Sequence, residues 1–254
     1  MLFFSYFVII KTIHIKVVIM QRYFVKEKNN DNFIFENTDI HHIKKVMRCK
    51  NNDKIEIVYD KKVYLCNIDN IETLELSIIE CYEEDRNTNI ELTVAVSLVQ
   101  EQKFDLILQK LTELGVNKII PVKTERSIVK IDASKEEKKK IRWQTICKEA
   151  SEQSHRVTIP EITNIMTIKQ LLTQKHQLNL ICSLNENTKP LSHYLANNIK
   201  DILFIIGPEG GFSKNEEAFL IESGFKSTSL GKRVLRVETA AIYVASIINY
   251  IYEG

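Results

Sequence analysis

Several patterns that would place this chain of 254 residues in a familiar class are missing, and each absence removes a possibility. No C-x-x-C pair occurs among Cys49, Cys66, Cys81, Cys147 and Cys182. Their scattered, odd-numbered distribution excludes a zinc ribbon or a disulfide framework and predicts reduced, mostly buried thiols in a cytoplasmic protein. The six histidines form no H-E-x-x-H, and adjacent His41 and His42 would face apart on any helix, so no metal centre is expected. Charge of neither sign dominates: a net charge of +2 announces neither nucleic acid nor membrane, although residues 91–160 carry a modest basic excess. A membrane span, which takes roughly 20 apolar residues, is not expected either. The apolar run at residues 2–10 is too short for one, lacks a basic segment before it and has no small-residue cleavage site after it. Residues 1–19 are expected to be an extension upstream of the domain that opens at Met20, with an interfacial anchor as the alternative.

Glycine and proline are scarce, at seven and four, so their clustering carries information. Gly207, Pro208, Gly210 and Gly211 fall within five positions in "IIGPEGGFSKNEEAF". Ahead of this cluster the chain changes texture once. Residues 20–85 alternate with a period of two, as in "DKIEIVYD" and "KVYLCNID", which predicts a small β-barrel-like domain. One helix interrupts it at "NTDIHHIKKVMRCK", with Asn37 or Thr38 as cap and Ile40, Ile43 and Val46 or Met47 on the buried face. That helix concentrates Lys44, Lys45, Arg48 and Lys50, which suits either a solvated face or contact with phosphates. The polar stretch at residues 81–89 reads as a linker.

Residues 90–254 predict a second, α/β domain. "IELTVAVSLV" is a strand buried on both faces, "KFDLILQKLTELG" a helix with Phe104, Ile107, Leu108, Leu111 and Leu114 on one stripe and Gly115 just past its end, and "NKIIPV" the next strand. Such a β-α-β unit implies a parallel sheet. A long helix should start at a capping box of Ser134 and Glu137, and a second box, Ser213 and Glu216, should open the helix after the glycine cluster. "LNLICSL" and "ILFIIG" are further strands, and the terminal helix "AAIYVASIINYIY" is apolar enough to need a large surface to cover it.

The cluster at 207–211 ends a strand and opens a helix, which is where open α/β sheets bind ligands. Glycines there leave room for a ligand to approach the main chain, although a plain turn would use the same residues. The Rossmann spacing G-x-G-x-x-G is absent, Gly231-Lys232 is followed by Arg233 where a P-loop needs Ser or Thr, and Glu209 would repel phosphate while suiting a cation. A second segment, "SLGKRVLRVETAAI", shares the strand-to-helix character, so the two could wall one pocket.

Together, "IGPEGGFSKNE" and "LGKRVLRVETAAI" resemble the C-terminal signature of the RsmE-type 16S ribosomal RNA (uracil-N3) methyltransferases of the SPOUT superfamily. The likeness continues in "KFDLILQKLTELGV", "TERSIVK", "RWQTICKEASEQSHRVTIPEI" and "HHIKKVMR", with His155 standing where relatives usually have glycine. The resemblance implies an α/β, trefoil-knotted, SPOUT-type methyltransferase domain behind a PUA-like small β-barrel, a homodimer, and S-adenosylmethionine as methyl donor to a uridine of 16S ribosomal RNA in the 30S subunit, in ribosome biogenesis. It implies cofactor contacts from Leu184, Ile206, Gly207, Pro208, Gly210, Leu230, Gly231, Val234, Leu235 and Thr239. Glu209, Arg236 and Glu238 are the catalytic candidates, a carboxylate and a guanidinium being what removal of the uracil N3 proton calls for. Arg22, Arg48, Lys103, Glu125, Arg126, Glu152, Gln153 and Arg156 are the candidates for the RNA side. Two alternatives stay open: a non-catalytic RNA-binding protein of ribosome assembly, and a methyltransferase of this superfamily acting on another RNA such as tRNA.

Overall fold

The computed structural model describes residues 20–30, 32–84, 89–183, 188–195 and 198–253, so the expectation for residues 1–19 lies outside the described residues. In the first domain β1 (Arg22–Phe24), β4 (Lys54–Tyr59), β5 (Lys62–Asn70) and β6 (Glu75–Glu83) form one sheet in that order, while β2 (Glu27–Asn29) and β3 (Asn32–Ile34) pair separately. Asp60 and Lys61 both take positive φ, the twist that lets two residues join β4 to β5. Tyr23, Phe33, Ile43, Ile55, Ile57, Cys66 and Ile68 close the sheet, hairpin and helix around one core. β6 runs to Glu83, so the residues read as the start of a linker belong to a strand. The cysteines also differ from expectation, since only Cys66 and Cys147 are buried and Cys81 is exposed.

The inserted helix departs from its predicted face. α1 (Asn37–His41) follows Glu36 as cap, with no side-chain capping bond, and widens into a π-helical turn over His42–Val46, marked by the Met47 N–H donating to the His42 carbonyl. The wider turn rotates the residues that come after it. Ile43 is therefore buried, whereas Val46 and Met47 are exposed.

The second domain is built on a parallel sheet from β7 (Glu91–Ser97), β8 (Lys118–Lys123), β9 (Glu161–Ile162), β10 (Met166–Thr167), β11 (Leu178–Cys182), β12 (Lys189–Pro190), β13 (Asp201–Ile206) and β14 (Lys226–Ser229). The order is β10-β8-β7-β13-β11-β14-β12, with β9 also beside β8. Helices α2 (Glu101–Glu113), α3 (Ala133–Gln153) and α6 (Val237–Glu253) supply the core on one face, and α4 (Ile168–Leu171) and α5 (Lys214–Glu222) the smaller core on the other. Covering both faces is why β7 and β13 read as continuous apolar runs. The box of Ser213 and Glu216 caps α5 as predicted, the Glu216 N–H donating to Ser213 Oγ at 3.2 Å and the Ser213 N–H to Glu216 Oε2 at 2.9 Å. α3 instead begins after Asp132, with no side-chain cap, so the Ser134 and Glu137 box does not form there. α6 buries Ala241, Val244, Ala245 and Ile248 but leaves Tyr243, Tyr250 and Ile251 exposed, so half of the apolar helix has no cover in the single chain. No helix among the described residues is long and apolar enough to cross a membrane.

Candidate active site

Parallel strands put all their carboxyl ends on one edge, and β11 lies between β13 and β14. The loops after β13 and β14 therefore meet over the end of β11, enclosing a cavity of about 600 Å³. Ile206, Gly207, Pro208, Leu230, Gly231, Val234 and Leu235 all line it, and so does Glu209. Gly210 and Thr239 are not among its lining residues, and Leu184 lies outside the described residues. Thr239 instead lines an apolar groove on the uncovered face of α6 with Ile242 and Tyr243. Helical spacing accounts for the difference, because Val237 and Ala240 on the same helix turn do line the cavity. Cys182, at the end of β11, and Phe212 also line the cavity and had no signal in the sequence beyond their positions after an apolar run and beside a glycine. Burial first, and then the nearby Glu217 carboxylate, push the Cys182 thiol up to about 11, so it is an unionised, apolar part of the wall.

The glycines have different duties. A Cβ on Gly207 would sit 3.0 Å from Phe212 Cε2, so its bareness lets the loop's own ring pack down. Gly210 would meet Arg126, not ligand space, with Cδ at 3.7 Å. Gly211, at φ +66°, and Gly231, at φ +111°, both line the cavity, and among the described residues nothing lies within 4 Å of where a Cβ on either would be, so both present bare main chain in a conformation other residues resist.

Charge is arranged around the mouth. Lys103, from the first turn of α2, forms a short ion pair with Glu209. This hydrogen bond and the charge of Lys103, with a further contribution from Arg236, hold the Glu209 carboxyl below the usual range. Lys103, expected on a phosphate, is thus engaged by the cavity wall. Arg236 is exposed, and its carbonyl accepts from the Ala240 N–H at the start of α6. Glu238 is half-buried, and its Oε2 has no hydrogen-bond partner among the described residues. Neither Arg236 nor Glu238 lines the cavity itself. The "TERS" turn braces the loop: Arg126 Nη1 donates to the carbonyls of Gly210 (2.9 Å) and Phe212 (3.2 Å), and the Glu125 N–H donates to Glu216 Oε1 at 2.6 Å.

Three of the residues expected on the RNA side are used inside the protein. Arg22 is 1% exposed on β1. It donates to Glu56 Oε2 (2.9 Å), to Glu84 Oε2 (3.0 Å) and to the carbonyls of His155 (2.7 Å) and Arg156 (3.2 Å), tying the two domains together. Arg156 is buried and holds the end of α2 through the carbonyls of Thr112 (2.6 Å) and Val116 (3.0 Å). Glu152 is buried between α3 and the first domain, accepting from the Phe24 N–H at 3.1 Å. The expectation that these three meet RNA is corrected: Arg22 and Glu152 pair across the domain boundary and Arg156 with the end of α2, long-range partners that are invisible in sequence. Arg48, Glu125, Arg126 and Gln153 are exposed. His155 takes φ +55° just after α3, which is the left-handed conformation a glycine would adopt there, and its Nδ1 lies 3.2 Å from Glu56 Oε2.

The chain matches two described families: "RNA methyltransferase domain" over residues 86–249 and "RNA methyltransferase PUA domain" over residues 35–81. Its curated relatives include the ribosomal RNA small subunit methyltransferase E of Bacillus subtilis, 33% identical over 91% of this chain and 96% of the relative. The protein of that name from Mesomycoplasma hyopneumoniae is 35% identical over 89% of this chain and 97% of the relative. Among solved structures, the ribosomal RNA small subunit methyltransferase E of Neisseria gonorrhoeae bound to S-adenosylmethionine superposes with a TM-score of 0.82 at 30% identity, covering 92% of this chain and 98% of that one. A Legionella pneumophila methyltransferase in complex with the same cofactor gives 0.85 at 29% identity, over 91% of this chain and 98% of that one.

Proposed function

The chain belongs to the RNA methyltransferase family, and from that premise we propose that it transfers the methyl group of S-adenosylmethionine to N3 of a uridine in 16S ribosomal RNA. The expected pairing of a SPOUT-type methyltransferase domain with a PUA-like domain is the architecture of the family. The observation that carries the reading is the meeting of two glycine-bearing loops around one cavity. About 600 Å³ suits a small-molecule site, the bare main chain at Gly231 admits a ligand edge, and the ionised Glu209 on the wall matches a positive charge. A purely RNA-binding protein has no use for such a cavity.

When bound, the cofactor supplies a methyl group on a positively charged sulfur. The protein's part is orientation and electrostatics. Glu209, held ionised by Lys103, is a weak proton acceptor and acts as the counter-charge of the cavity. Arg236, exposed and near enough to contribute to lowering the Glu209 pKa, is the residue we assign to stabilise the negative charge that develops on the uracil carbonyls as the N3 proton leaves. Glu238, the remaining carboxylate, is set back from the cavity, with its buried Oε2 unpartnered among the described residues. The open face of α6, where Thr239, Ile242, Tyr243, Ser246, Tyr250 and Ile251 line an apolar groove of about 540 Å³, is the surface for a second copy of the chain.

The test is methyl transfer to 30S particles lacking the modification, followed by mapping of methylated uridines. Arg236→Ala should lower turnover at least a hundredfold while S-adenosylmethionine binding by calorimetry persists. Normal turnover in this variant removes Arg236 from the reaction, and methylation appearing only on another RNA overturns the substrate.

A further inference from the structure

We propose that a second, separate slot beside the cofactor cavity takes the base of a nucleotide flanking the methylated uridine; this rests on the RNA methyltransferase reading above. The slot has a volume of about 220 Å³ and is walled by Leu98 and Val99 after β7, Phe104 of α2, Val129 and Ile131 of the β8–α3 loop, and Trp143 of α3. Phe104 and Trp143 pack with ring centroids 4.7 Å apart. An apolar, aromatic-backed recess of this size admits a planar heterocycle and is far too small for the cofactor.

Position gives the slot its meaning. A narrow recess of about 30 Å³ shares Leu98, Val99 and Val129 with the slot, and Pro208 and Glu209 with the cofactor cavity. The three spaces therefore form one track along the carboxyl edge of β7 and β13. Ile128 lines the narrow recess and is 82% exposed, so its side chain is free to meet a base at the recess. Aliphatic side chains in such positions wedge between bases and unstack them. Lys130, Lys135 and Lys139 stand around the slot with Glu101 and Asp132; Lys139 pairs with Glu101 at 2.5 Å and Lys135 with Asp132 at 3.6 Å, which leaves Lys130 to meet a phosphate passing over the slot. A target base at the cavity mouth, a wedge at Ile128 and a neighbouring base in the slot together use every part of this edge.

Trp143 is the chain's single tryptophan and part of the slot wall, so tryptophan fluorescence reports on the slot and the core directly behind it. Titrating the protein with a uridine-containing single-stranded RNA hexamer should change that fluorescence, and a flat response overturns the proposal. Val129→Phe fills the slot from its wall. It should raise KM for the 30S substrate about tenfold, through loss of the apolar contact a base makes with the slot walls, and leave the Kd for S-adenosylmethionine unchanged. Ile128→Ser, at a side chain too exposed to disturb the core, should shift KM in the same direction and keeps the test decisive if Val129→Phe does not fold. Unchanged KM in a folded variant sinks the slot while leaving the methyltransferase reading intact. Absence of transfer to any RNA by the native protein sinks that reading instead, and the hexamer titration still judges the slot.

Discussion

Replacing Glu152 with Gln tests how the two domains are held together. Lys148 on α3 places its ammonium between three carboxylates. It donates to both oxygens of Asp39 at 2.6 and 2.7 Å, while Glu36 and Glu152 lie 3.6 and 3.7 Å away. One positive charge already spent on Asp39 does little for a second buried acid. Burial therefore dominates, and it pushes the Glu152 carboxyl from 4.5 up to about 7, against the opposing pull of Lys148. Because the folded state holds this proton more tightly than the unfolded chain, the folded form binds more protons between about pH 4.5 and 7, and stability falls as pH rises through that window. The full shift corresponds to about 3 kcal/mol. Gln keeps an oxygen for the Phe24 N–H and carries no charge, so it escapes the penalty. The melting temperature of Glu152→Gln minus that of the native protein should therefore grow between pH 5 and pH 8, by roughly 4–8 °C for about 2 kcal/mol realised. Thermal melts at the two pH values measure it. A difference that does not move with pH means that Glu152 ionises normally and refutes the reasoning.

Two further predictions concern the site's surroundings. Arg126→Ala removes both hydrogen bonds to the loop carbonyls of Gly210 and Phe212 and should weaken S-adenosylmethionine binding about tenfold by calorimetry, at about 1 kcal/mol per bond partly recovered by water. Unchanged affinity would show that the glycine loop holds its shape unaided. Tyr250→Asp puts a charge into the uncovered groove on α6, where Tyr250 is 81% exposed, and should convert a dimer to monomers in analytical ultracentrifugation. A native chain that sediments as a monomer, or a variant that stays dimeric, rules out this face as the interface.

Where the chain repeats one local rule, its elements were legible. The apolar runs at β7 and β13, the stripe of α2 ending at Gly115 and the α5 capping box are all local patterns, and the structure has them. Local patterns failed where geometry shifts by a residue or two. The π-helical turn at His42–Val46 turned Val46 and Met47 outward, and the cap of α3 moved to Asp132. The family resemblance named the two loops, and the glycines pointed to their bareness.

By itself, then, the sequence determined that two side-chain-poor segments end strands of a parallel sheet, because strand, turn and cap chemistry are set by neighbours along the chain. Only the tertiary structure decided what each residue there faces. It turned Gly210 toward Arg126 and Thr239 toward the open side of α6, engaged Lys103 with Glu209, buried Arg22 and Glu152 between the domains, and buried Arg156 against the end of α2. A charge near a cleft has the same local signature whether it meets RNA or a carboxylate 34 residues away, as Arg22 meets Glu56. Partner choice is fixed by which surfaces folding brings together, and that information is carried by the whole chain.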